Sequence, residues 1–351
     1  LGFTDHHVTE AFCSSLVLLF LMLAVREAEN VGVILTRPAD VLKPAYRRAI
    51  MLATFGGISL GLYLLSWRGG VFVLAVLVLY SIIRSLADYP AARSYDDVVL
   101  TFPIAGIIAF VMASPTIGPH YMPLLYVTAM VAVPAFPMLL KLLAHICRRR
   151  GWSRWAFAGT LAGGLVLALA ALILISPALG RYIIGALDFM VPTGAHLTIM
   201  EMHPLFFPAG EFSTRVAWTN FTTTLALSIV AMTMLFTVAR RPRGNHVTLL
   251  LTWSITMFVA TMLQRRFGYY YAISAAVLCG FLCAWLFSHP YMRQQVVLLR
   301  QRSMMPLKTK SRSVIRAVQA QKAERRWSAI RLALAGAIVV AVLILPNISM
   351  A

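Results

Sequence analysis

The sequence predicts an all-α polytopic membrane protein with about ten transmembrane helices. Of its 351 residues, 60% are hydrophobic and only 12% are charged, whereas soluble proteins carry about 25% charged residues. Its apolar runs approach the roughly 20 residues that a helix needs to cross a bilayer. Its basic residues fall mainly in alternate loops between those runs. These observations together exclude an ordinary soluble domain.

Ten apolar runs are candidate spans, and the first and third are short enough that we expect them to extend into their flanks. They cover residues 11–25, 49–67, 71–86, 98–114, 121–146, 155–176, 220–239, 247–263, 269–288 and 328–348. Residues 67–70, Trp-Arg-Gly-Gly, predict the tight turn of a helical hairpin between the second and third spans. Prolines inside spans are tolerated where neighbouring helices satisfy the freed backbone groups, and this chain has Pro103, Pro123, Pro134 and Pro137.

Basic residues assign a side of the membrane to each loop. One set of loops and span ends holds 26 Lys and Arg, and the other holds only five. The positive-inside rule makes the first set cytoplasmic and places the amino terminus outside. The formal charge of +19 therefore reflects topology and membrane lipids, and no nucleic acid partner is expected. We predict a multi-pass protein of the plasma membrane.

Two loops are long. Residues 177–219 form an outer loop, and residues 289–327 form a basic cytoplasmic loop. The basic loop is either a membrane-surface helix held by anionic lipid head groups or simply topogenic charge. The four cysteines imply no disulfide framework.

The outer side has few charged residues, and three clusters stand out among them. The first is Gly-Phe-Thr-Asp-His-His-Val-Thr-Glu at residues 2–10. In an extended or turn backbone, Asp5 and His7 project to one side and can bind one divalent cation. Alternatively, Thr4 or Asp5 caps the first helix and the histidines are interfacial.

The second cluster, residues 196–203, lies in the long outer loop and carries Glu201 among apolar neighbours. Long loops without obvious structure are usually functional or disordered. The loop is therefore either a lid with one catalytic carboxylate or a solvated interfacial loop.

The third cluster pairs Arg265 with Arg266 at the outer end of a span. Two adjacent arginines there either bind a phosphate through their planar forks or extend towards lipid head groups.

All three clusters lie on one side, which indicates an enzyme acting on a lipid-linked phosphate at the outer leaflet. In this order they resemble the motifs of the oligosaccharyltransferase catalytic-subunit family. Residues 2–10 resemble its second metal-binding motif in the archaeal D-x-H form. Thr-Ile-Met-Glu at residues 198–201 matches its T-I-x-E motif, and Arg266-Phe267 resembles its R-F segment.

The resemblance implies a C-type glycosyltransferase membrane domain over residues 1–351. Such enzymes transfer an oligosaccharide from a polyprenyl (pyro)phosphate to Asn in an Asn-x-Ser/Thr sequon. Asp5, His7 and Glu201 would then be metal ligands, with Asp5 and Glu201 catalytic, and the metal would be Mg²⁺ or Mn²⁺. Arg266 would bind the donor phosphate, and Arg215 is a weaker match to an acceptor-reading arginine.

Two family features are missing: an acidic ligand after the first span, and the sequon-reading W-W-D-x-G motif. We therefore expect a fragment of a longer protein, inactive alone, that lacks N-terminal spans and a C-terminal soluble domain. One rival interpretation is a related polyprenyl-phosphate-dependent glycosyltransferase that modifies lipid or Ser/Thr. Another is a transporter or flippase, although charges cluster at span ends rather than at the bilayer midplane.

Overall fold

The computed structural model confirms an all-helical membrane architecture. It describes residues 6–116, 124–177, 180–181, 185, 200–208, 210–240, 244–288, 290–300, 312–344 and 346. Within that part of the chain, ten helices are long and apolar enough to cross a membrane, as the sequence predicts.

Eleven helices are described over these residues. They are α1 His6–Val31, α2 Arg47–Ser66, α3 Val71–Asp88, α4 Asp96–Ala113, α5 Leu124–Arg149, α6 Arg154–Ile175, α7 Arg215–Ala239, α8 Asn245–Leu263, α9 Gly268–Ser288, α10 Pro290–Arg300 and α11 Arg312–Val339. The first and third helices extend beyond the predicted spans, as expected. The hairpin turn after α2 is a single 3₁₀ turn at Arg68–Gly70.

The chain divides into two compact units, and the first contains residues 1–211 and 232–273. In it, α2 packs against α1 and α4, α5 packs against α3 and α4, and α8 packs against α1 and α3. Helices α2 and α4 approach very closely at Gly57, where an added Cβ would lie 2.7 Å from the carbonyl oxygen of Ala105. Pro103 lies inside α4, and Pro134 and Pro137 lie inside α5.

Apolar side chains on the outside of the first unit match a lipid environment. Helix α6 buries only Phe157 and Leu161, and its Leu174 and Ile175 are more than 80% exposed. In water such a surface would aggregate, whereas in a bilayer the hydrocarbon is its natural solvent.

The second unit contains residues 212–231 and 274–351. Helices α10 and α11 contact each other there, and Arg331 donates a hydrogen bond of 3.3 Å from Nη1 to Oε1 of Gln295. Helix α11 already begins at Arg312, well before the predicted span at 328–348. The described residues of the basic segment 289–327 are therefore helical.

Candidate active site

The R-F segment connects α8 to α9 through a tight turn at one end of the first unit. Gln264 is extended, residues Arg265–Phe267 form one 3₁₀ turn, and Gly268 begins α9. Phe267 is buried and lies 5.1 Å from Phe72, centroid to centroid. Because this ring anchors the turn, the two arginines before it are placed at the end of the helix bundle.

The guanidinium of Arg266 lies over an aromatic ring. Its Cζ lies 5.5 Å from the ring centroid of Trp67, a distance that allows a cation–π attraction. Trp67 in turn stacks on Tyr270 at 6.2 Å. The neighbouring Arg265 has a buried Nε with no hydrogen-bond partner among the described residues. The turn therefore presents two cations, of which one is oriented by an aromatic platform.

Glu201 lies on a short 3₁₀ turn, Met200–Met202, that is attached to the R-F segment. The amide of Arg265 donates to the carbonyl of His203 at 3.1 Å, and the amide of Leu205 donates to the carbonyl of Met262 at 3.2 Å. Leu205 is fully buried, whereas Glu201 is exposed. The structure thus brings the carboxylate-bearing loop and the arginine turn together.

The first cluster is described only in part. Asp5 lies outside the described residues, as do the side chains of His6 and His7. Helix α1 begins at His6, so His7 lies in its first turn. This helix contradicts an extended backbone at residues 6 and 7. The pairing of Asp5 with His7 stays a prediction, as does capping of the helix by Thr4 or Asp5.

Glu10 connects the first cluster to the R-F segment. It is 1% exposed, and its Oε2 accepts a 2.7 Å hydrogen bond from the hydroxyl of Tyr270. The hydroxyls of Tyr270 and Tyr63 are 3.0 Å apart. Sequence reasoning assigned none of these three residues to the site. An acid at the start of a span requires a partner, but that partner is 260 residues away in the chain.

Metal binding and acceptor reading stay predictions. No group of three or more His, Cys, Asp or Glu that could hold a metal ion occurs within the described residues. Of the three predicted ligands, Glu201 alone has a described side chain. Arg215 is the exposed first residue of α7 and lies in the second unit, so its role stays a prediction.

The opposite end of the first unit holds a buried ionic cluster that the sequence did not reveal. Arg84 Nη1 lies 2.7 Å from Asp88 Oδ2, and Arg84 Nη2 lies 3.3 Å from Asp97 Oδ2. Asn245 Nδ2 donates to the same Asp97 oxygen at 2.9 Å. These contacts join α3, α4 and α8, so the cluster fixes the end of the bundle that carries the basic loops.

A second ion pair at this basic end fixes the neighbouring connection. Lys141 Nζ lies 2.5 Å from Asp96 Oδ1 and donates to the carbonyl of Leu35 at 2.7 Å, while the amide of Leu35 donates to Asp96 at 3.0 Å. Burial raises the pKa of Tyr95, so its hydroxyl stays neutral and donates to the carbonyl of Ser81 at 3.0 Å.

Known proteins resemble this chain in sequence and in fold, although no protein-family model matches it. The chain is 26% identical over 291 residues to dolichyl-phosphooligosaccharide-protein glycotransferase 3 of Archaeoglobus fulgidus. That alignment covers 79% of this chain and 32% of the relative. The chain thus spans about a third of the length of the curated relative it matches.

Solved structures of an oligosaccharyltransferase from the same archaeon share the fold. The complex of AglB with an inhibitory peptide and a dolichol-phosphate matches all of this chain and 38% of its own, at a TM-score of 0.77 and 22% identity. The form tethered to an acceptor peptide with an NVT sequon matches all of this chain and 37% of its own chain, at a TM-score of 0.69 and 21% identity. A complex with Zn and sulfate matches 85% of this chain and 33% of its own chain, at a TM-score of 0.54 and 19% identity.

The solved relatives agree with the all-helical fold and its ten apolar helices. The comparisons confirm the resemblance to the oligosaccharyltransferase catalytic subunits, and over its whole length this chain has the fold of part of an archaeal member of that family.

Proposed function

We propose that this chain is the membrane-embedded catalytic part of an oligosaccharyltransferase. It would transfer an oligosaccharide from a polyprenyl (pyro)phosphate carrier to the side-chain amide of Asn in an Asn-x-Ser/Thr sequon. One observation carries the proposal: the segments with all three motifs meet at Arg265–Tyr270. Glu10 of α1 bonds to Tyr270, and His203, two residues after Glu201, bonds to Arg265.

The donor phosphate is assigned to the arginine turn. The Cζ of Arg266 lies 5.5 Å from the ring centroid of Trp67, and the planar fork of an arginine suits the oxygens of a phosphate. Fixed cations stabilise charge as it develops on a departing phosphate without having to reorganise. This end of the bundle would face the outer side of the plasma membrane, since the opposite end carries the basic loops.

The acceptor amide is assigned to the carboxylates. Glu201 is exposed on an anchored turn. Asp5 and His7 would supply the other donors, and a set of two carboxylates and one imidazole suits a divalent metal such as Mg²⁺ or Mn²⁺. When bound, that metal would polarise the unreactive amide. A divalent metal is also compatible with the Zn complex of a structural relative.

The test compares two acidic residues of the same outer loop in the full-length protein. A lipid-linked oligosaccharide and a fluorescent sequon peptide are incubated with Mn²⁺, and glycopeptide is quantified by gel shift. Glu201→Ala should lower the transfer rate about 100-fold or more, which is typical for loss of one preorganised electrostatic group. Glu211→Ala is the matched control and should stay within about twofold of wild type, because Glu211 is exposed outside the anchored turn.

A peptide with Gln in place of the sequon Asn separates Asn transfer from other chemistry. Glycosylation of that peptide at the wild-type rate would favour transfer to Ser or Thr instead. Wild-type activity of the Glu201 variant would refute the site assignment.

A further inference from the structure

A cavity at the basic end of the first unit is not used by the proposed reaction. It has a volume of about 540 Å³ and lies between α3, the end of α7 and the start of α8. Helix α8 separates this end from the Arg265 turn by its 19 residues, which is roughly 28 Å at the rise of an α-helix. The lining on α8 runs from Asn245 to Thr256, and the arginines that line the cavity lie at the basic end, opposite the candidate active site.

The walls of the cavity are apolar and face the bilayer. Leu79, Ile83, Phe236 and Ile255 line it, and each is 36–47% exposed although it lies in a membrane-spanning helix. Side chains so placed contact lipid rather than water. A volume of this size is in the range of small-ligand sites.

The rim of the cavity is basic. Arg93 and Arg240 both line it and are exposed, and no ion pair joins either of them to a carboxylate within the described part of the chain. The Cζ of Arg240 lies 4.2 Å from the ring centroid of Phe236, which orients its fork above the apolar wall. The one lining acid, Asp88, is already paired with Arg84.

We propose that this cavity binds an anionic phospholipid from the leaflet at the basic end. The phosphate of the lipid would accept hydrogen bonds from Arg93 and Arg240. The first part of an acyl chain would lie against Ile83 and Ile255. Free phosphate would satisfy the arginines but leave the apolar wall unused, so charge and apolar surface together favour a lipid.

The test measures lipid retention by native mass spectrometry of the full-length protein. Protein is purified in a neutral detergent and titrated with phosphatidylglycerol, phosphatidylcholine or inorganic phosphate. We expect phosphatidylglycerol adducts to exceed phosphatidylcholine adducts, and inorganic phosphate to compete poorly. Arg240→Gln should weaken phosphatidylglycerol binding about fivefold, as expected for loss of one basic contact near a membrane surface.

Arg154→Gln is the matched control. Arg154 is exposed at the same end of the bundle and lies 5.2 Å from the ring centroid of Trp155, but it does not line the cavity. Equal losses in both variants would mean that only general surface charge attracts lipid. That result would overturn the proposal, as would equal retention of the two lipids or full competition by inorganic phosphate.

Discussion

Removing Arg84 should strongly destabilise the first unit. Arg84, Asp88 and Asp97 are only 3–6% exposed, and their ion pairs are 2.7 and 3.3 Å long. At an effective dielectric constant of about 20, these distances correspond to gross attractions of about 6 and about 5 kcal/mol. The desolvation of three ions offsets much of this attraction. Arg84→Met, however, leaves two carboxylates buried without their cation, so we expect the free energy of unfolding to fall by about 3–5 kcal/mol.

The assay is an SDS titration of the full-length protein in mixed micelles, followed by far-ultraviolet circular dichroism. The control is the ion pair at 3.6 Å between exposed Arg48 and half-buried Glu27, and Arg48→Met should change the unfolding free energy by less than about 1 kcal/mol. A double-mutant cycle with Asp88→Asn should show coupling of about 2 kcal/mol or more between Arg84 and Asp88. A loss below about 1 kcal/mol for Arg84→Met, or additive effects in the cycle, would refute the reasoning.

Two further variants test the packing that supports the candidate active site. Tyr270→Phe removes the hydroxyl that donates to buried Glu10, and the SDS titration should show an unfolding free energy lower by about 1.5–3 kcal/mol. An unchanged unfolding midpoint would contradict a stabilising role for this hydrogen bond. Gly57→Ala places a Cβ 2.7 Å from the carbonyl oxygen of Ala105 and should lower the free energy of unfolding by about 1–3 kcal/mol. Gly163→Ala, in open space on α6, should instead be neutral or stabilising by up to about 1 kcal/mol, and equal effects of the two glycine variants would argue against close packing of α2 on α4.

Much of the fold could be predicted from the sequence because lipid imposes a simple rule. A bilayer span must be helical, apolar and about 20 residues long, so the ten spans follow from local composition alone. The boundaries were less accurate, as shown by α1, which begins at His6 rather than at residue 11. Helix α11 likewise begins at Arg312, because polar residues continue a helix beyond the membrane without any hydropathy pattern.

The candidate site likewise combines residues that the sequence predicts with contacts that depend on the fold. Residue type and side of the membrane single out Glu201 and the Arg265–Arg266 pair, and the family resemblance implies the roles of Glu201 and Arg266. Their roles stay predictions, but the structure ties the segments that carry them through His203 and Arg265. Those backbone bonds depend on how the outer loop folds onto the end of α8, which no local pattern encodes.

The membrane architecture and the small set of outer charges from which a site can be built are predictable without the fold, because hydrophobic length and charge bias act locally along the chain. Which distant side chains meet depends on how the helices pack. Glu10 with Tyr270 and Arg84 with Asp97 join different helices. Burial makes such pairs obligatory, since an ion without a partner is too costly in a low-dielectric interior, but only packing selects the partner.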